Sequence, residues 1–109
     1  MKVRRPAPPL LTDILPELAK ELEILLNAKG EISLAGQVAE LRIVDRCHCG
    51  DDFCSTFYTH QSKPNGVCRN IELDPETGML VLEVIDEQIV AVEVLYRDEI
   101  RDKLRALLR

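Results

Sequence analysis

Leu15, Leu18, Leu22 and Leu25 recur at alternating three- and four-residue steps, with Glu17, Lys20, Glu21 and Glu23 between them. This is the signature of a helix with one apolar face. Thr12 or Asp13 is placed to cap it, Pro16 falls in the first turn, where a missing N–H costs little, and Asn27 to Gly30 supplies the stop. A shorter helix is expected from Ser33, with Leu34, Val38 and Leu41 as its buried edge and Gly36 weakening it.

The pattern then changes to β-rich runs. Arg42 to Asp45 reads as a short strand leading into a cysteine segment, and Phe53 to His60 as a strand from its β-branched and aromatic content. Lys63 to Gly66 reads as a turn, and Val67, Arg69, Ile71 and Leu73 as one face of the next strand, which ends at the turn-forming Asp74 to Gly78. Met79 to Ile85 and Ile89 to Tyr96, joined by Asp86-Glu87-Gln88, have the form of a hairpin. Both runs are apolar on each face apart from Glu83 and Glu93, which predicts cover on both sides of the sheet.

A last helix is expected from Asp98 as N-cap, burying Ile100, Leu104, Leu107 and Leu108 and turning Arg101, Asp102, Lys103 and Arg105 outward. Together these elements predict an α+β fold: N-terminal helices, an antiparallel β-meander of about four or five strands, and a C-terminal helix. If the helices cannot cover both faces of the sheet, a second copy must, so a homodimer is expected.

A length of 109 residues suits one core, with 12–109 as a single α+β domain. Residues 1–11, with Lys2, Arg4, Arg5, Pro6, Pro8 and Pro9, read instead as an extended or mobile basic arm. Pro6 and Pro9 match a minimal P-x-x-P pattern, which is too short to imply a ligand role. The net charge of −5 hides a basic arm and a basic last helix, so the acidic excess lies in the body between them. That body disfavours nucleic acid, whose phosphates need a basic face, and suits a basic protein partner. No apolar run approaches the roughly 18 residues that cross a bilayer, and the start of the chain lacks a secretory signal, so a cytoplasmic protein without a membrane role is expected.

In that setting the four cysteines are reduced thiols or metal ligands rather than a disulfide framework. They fall in or after Arg46-Cys-His-Cys-Gly-Asp-Asp-Phe-Cys54, the densest group of chemically capable side chains. Cys47, Cys49 and Cys54 can come from one loop and Cys68 from the following strand to complete a tetrahedral zinc shell, with Gly50 letting the loop turn tightly. The spacing departs from the usual paired C-x-x-C knuckles, and unligated packing thiols are the plainer reading. Thiol redox chemistry is the enzymatic rival, but no C-x-x-C opens a helix, and Asp51 and Asp52 disfavour a thiolate.

Other catalytic readings are weaker. Cys54 and His60 as nucleophile and base would stand about 20 Å apart on a regular strand. Asp51 and Asp52 read as solvated turn residues, and Glu83 and Glu93 as carboxylates at a strand edge or dimer rim. Phosphate loops, G-x-S-x-G and H-E-x-x-H are absent, and Phe53, Phe57 and Tyr58 fit a core better than a base-stacking platform. The segments Asp45 to Tyr58, Gly78 to Ile85 and Val92 to Tyr96 resemble those of small uncharacterised bacterial proteins with a C-x-C-G-D-x-x-C segment, a β-hairpin and a last helix. That resemblance implies a bacterial, cytoplasmic setting and no activity or catalytic residue. The leading expectation is a non-enzymatic protein-interaction module; the alternative is a cysteine-cluster zinc protein or a thiol redox enzyme.

Overall fold

A computed structural model describes residues 7–61 and 65–108. Lys2, Arg4, Arg5 and Pro6, and with them the P-x-x-P pattern, lie outside the described residues, as do Lys63 and Pro64 of the expected turn. From Pro8 onward the Pro-rich segment is tied to the body. Arg42 donates to the Pro8 carbonyl at 2.6 Å, Ile43 N–H to Pro9 at 2.8 Å, and Leu10 bridges Arg42 in an antiparallel sense.

The first helix begins earlier than its polar caps suggest and is broken in two. α1 covers Leu11–Ile14 and α2 covers Pro16–Ala28. Leu15 between them has φ −130° and ψ 64°, because the ring of a following proline drives the preceding residue out of the helical region. Leu10 and Leu15 stand at the two helix starts, and neither Thr12 nor Asp13 caps by its side chain. α2 buries Leu18, Ala19, Leu22 and Leu26. The edge expected of Leu34, Val38 and Leu41 is buried, but it is divided between one turn of helix, α3 at Ile32–Ala35, and a 3-10 turn at Val38–Glu40.

Five strands follow: β1 Asp45–Arg46, β2 Phe57–Tyr58, β3 Cys68–Leu73, β4 Met79–Ile85 and β5 Gln88–Leu95, before α4 at Asp98–Leu107. All pair antiparallel in the order β1-β2-β5-β4-β3, which makes the fold α+β. The meander therefore runs from β3 to β5, and the β1–β2 hairpin is added to the far edge of β5. The β4–β5 connection is tighter than a three-residue loop. Ile85 pairs with Gln88, and Asp86 and Glu87 both take left-handed φ of 49° and 62°, the type I′ form that matches strand twist.

A bulge between Glu83 and Val84 leaves Val90 without a register partner on β4 and lets both Ile89 and Val90 be buried. Asp98 opens α4 from inside the helix; Arg97 stands at the cap position and no side chain caps it.

One core holds the layers together. Leu80, Leu82, Val84, Val92 and Val94 face Leu18, Leu22 and Leu26 of the N-terminal helices and Ile100 and Leu104 of α4, in one continuous buried cluster. The expected cover on both faces is thus corrected: both groups of helices join the same side. The other face is an open depression lined by Tyr58, Asn70, Val81, Glu83 and Glu93. The apolar residues on it are mostly β-branched or small, types favoured by pleated surfaces with or without a covering layer. No described helix is long and apolar enough to cross a membrane.

Leu82 is fully buried and flanked by Ile71 on one neighbouring strand and Val92 on the other. Leu82→Ala is expected to destabilise the fold by about 2–5 kcal/mol. Met79→Ala, at the exposed end of the same strand, should cost under about 1 kcal/mol. Urea unfolding followed by circular dichroism measures both, and equal losses would contradict the one-sided core.

Candidate metal centre

The β1–β2 hairpin carries the cysteine segment as its loop. Cys47 continues the first arm, its N–H bonding the Thr56 carbonyl at 2.8 Å, and Cys54 lies on the second arm, bridged to Leu95 at the end of β5. Between them Gly50 takes φ 82°, a left-handed conformation that a side chain resists. A turn closed by Cys54 N–H on the Asp51 carbonyl, 3.2 Å, brings the second arm back.

The outcome is a group of three thiols. The sulfurs of Cys47, Cys49 and Cys54 all lie within 4.8 Å of one another, close enough to hold a metal ion. Cys47 and Cys54 are half-buried and Cys49 is exposed. Cys68, the fourth sequence candidate, lies outside this group. It opens β3, is exposed and pairs with Ile85, so four strand spacings separate it from the Cys47 edge, about 19 Å along the sheet.

The other candidates are also placed. His48, between two of the thiols in sequence, has Nε2 3.2 Å from Asp45 Oδ1. Neither it nor the Asp51 and Asp52 carboxylates joins the sulfur group. His60 lines a separate depression with Pro8, Glu40 and Arg42. Residues 55 to 59 run beside β5 from Val94 to Val90, so an extended stretch keeps Cys54 and His60 apart. Phe57 is fully buried in the core, whereas Phe53 stacks on Tyr96 at 5.6 Å near the loop.

Three arginines complete the surroundings, and the sequence pattern assigns none of them a role here. Arg101 donates to the Asp52 carbonyl at 2.6 Å and Arg105 to the Asp51 carbonyl at 3.1 Å. Arg46 donates through Nε to the Leu108 carbonyl and through Nη1 to that of Cys47, the latter at 3.2 Å. Arg101 and Arg105 are one helical turn apart and follow the buried Ile100 and Leu104. That i, i+4 spacing was the available signal, but a basic helix face ordinarily meets only water.

The thiols are electrostatically unequal. Burial pushes the Cys54 thiol up, yet this is overcome by the Thr56 hydroxyl, 3.5 Å away, the Thr56 backbone, and the thiols of Cys49 and Cys47, which together hold it below the usual value. For Cys49 the Asp51 backbone acts downward, but hydrogen bonding with Cys47 and Cys54, burial and the Cys54 charge outweigh it, pushing the thiol up to about 11. The surroundings thus favour negative charge on Cys54 over Cys49, which supports it as a donor. In such a group the titration steps belong to the set as a whole.

Thr56→Val removes the hydroxyl that accepts from the Cys54 thiol and that donates to it once the sulfur is ionised. The first rise in thiolate absorbance near 240 nm is expected to move to higher pH in this variant and to stay in place in Cys68→Ser. An unmoved first step in Thr56→Val would show that Thr56 does not support the charge.

No protein-family model matches the chain, nor does any curated protein or solved structure.

Proposed function

We propose that this is a small non-enzymatic metal-binding protein in which Cys47, Cys49 and Cys54 hold zinc as thiolates. The observation that carries this reading is the approach of three sulfurs to within 4.8 Å on a loop at the protein surface. Zinc–sulfur bonds of about 2.3 Å set neighbouring ligands of a tetrahedron about 3.8 Å apart, so the loop needs to tighten by only about 1 Å. The lowered Cys54 thiol gives the ion an initial anionic ligand, and the other thiols lose their protons as it binds.

In this reading the ion fixes the loop rather than turning over a substrate. The outer sheet face, with Glu83 and Glu93 on its depression, is then the surface offered to a basic partner protein or to a second copy in a homodimer. Thiol–disulfide cycling is the second reading, favoured by the contact of the lowered Cys54 thiol with its two neighbours.

Native mass spectrometry of protein purified without chelator separates these readings. One zinc per chain is expected, with affinity reduced on the order of a hundredfold or more in Cys47→Ser, Cys49→Ser or Cys54→Ser, and retained in Cys68→Ser. A metal-free chain that loses two hydrogens on mild oxidation would favour the redox reading. The same spectrum counts subunits: a dimer supports the second copy, and a monomer removes it.

A further inference from the structure

Zinc held by protein alone is almost always four-coordinate, whereas sites with three protein ligands keep a position for an added one. Here the described Cys, His, Asp and Glu donors furnish three sulfurs and nothing else within the same radius. His48 is turned to Asp45, and Cys68 is across the sheet. The remaining acids of the loop are held by their backbone. Asp51 and Asp52 give their carbonyls to Arg105 and Arg101, the Asp52 carboxylate lies 3.9 Å from the Arg105 guanidinium, and neither carboxylate joins the sulfur group.

We propose that the ion on Cys47, Cys49 and Cys54 keeps an open fourth position, and that this position binds a free small thiol as its thiolate; the inference rests on the metal reading above. Access comes from the side of Cys49, the exposed member of the group, whereas Cys47 and Cys54 are half-buried. An ion already bound by three thiolates is suited to a fourth soft donor. Arg46, Arg101 and Arg105 line one small cavity with Cys47 and Cys54 and offset part of the added negative charge, although Arg101 already shares its charge with Asp98 and Asp102, and Arg105 stands 3.9 Å from Asp52. The exchange balances simply: the incoming thiol loses its proton to solvent, its sulfur bonds the ion, and a water molecule leaves.

Cobalt(II) is a visible stand-in for zinc. The full chain is loaded with cobalt without oxygen, using a phosphine rather than a thiol as reductant, and titrated with free cysteine. Sulfur-to-cobalt absorption is expected to rise by about one third with saturation as three thiolate ligands become four, and the d–d bands should shift at the same time. His48→Ala and Cys68→Ser should respond as the parent does.

Cobalt bound with a spectrum that cysteine leaves unchanged would overturn the open position. So would a four-thiolate spectrum before any cysteine is added, lost in Cys68→Ser, because the fourth ligand would then be protein, from the same chain or, if the mass is that of a dimer, from a second copy. Failure to bind cobalt or zinc at all is a different result, which removes the metal reading and this inference with it.

Discussion

The position of the cysteine loop depends on the ladder between β5 and the chain from Phe53 to Thr59. Tyr96 N–H bonds Phe53, Ser55 bonds Val94 and Thr59 bonds Val90, and Phe57 and Tyr58 pair with Val92 and Ala91. Phe57 sets the register, since it is fully buried while Tyr58 lines the outer face. A slip of one residue would exchange the two and send a large apolar ring into water. With Phe57 fixed, Cys54 is fixed three residues earlier, Thr56 is fixed opposite Cys47, and the first and last thiols must meet across the hairpin.

α4 secures the same loop from the other side. Its start is anchored by Arg97, which pairs with both Glu21 oxygens, at 2.8 and 2.5 Å, and donates to the Thr77 carbonyl at 2.9 Å. That side chain is only 10% exposed, so the pair is shielded from solvent more than an ordinary surface bridge, and the Glu21 carboxylate holds the guanidinium pKa above its usual value. At its far end the helix offers the Leu108 carbonyl to Arg46, a cation where the helix dipole is negative. Between these anchors Ile100 and Leu104 enter the core, which aims Arg101 and Arg105 at the loop carbonyls. The apolar face of one helix thus determines the backbone geometry of a site to which it contributes no thiol.

Much of this architecture was legible because it is local. Met79 to Ile85 announces β4 by composition, and the apolar stripe of α4 announces the helix. The sheet order was not legible, because the choice of β2 rather than another partner for the free edge of β5 is made by contacts distant in sequence. The break at Leu15 had a local signal in Pro16, but helical periodicity continued across it and concealed it. In the site, C-x-C spacing suggested that Cys47 and Cys49 were related, whereas the inclusion of Cys54 and the separation of Cys68 follow from hairpin closure and strand order. The arginine clamps were hidden for a further reason: backbone carbonyls have no sequence identity, so nothing in the chain advertises them as partners for Arg101 and Arg105.

The surroundings of the thiols also bear on why they are grouped. A cysteine used for packing behaves as a small apolar residue and is among the most buried types, yet none of these four is buried and two are exposed. Packing therefore gives little return for bringing three of them together. Their proximity carries an electrostatic penalty instead, since the charge favoured on Cys54 contributes to the raised pKa of Cys49. A divalent cation at the centre reverses the sign of that interaction, because each thiolate then faces a positive charge rather than another thiol's negative one. On the proposed reading, the proximity that eases ionisation at Cys54 and hinders it at Cys49 in the metal-free loop is what gives the loop its affinity, and protons compete with the ion most directly at Cys49.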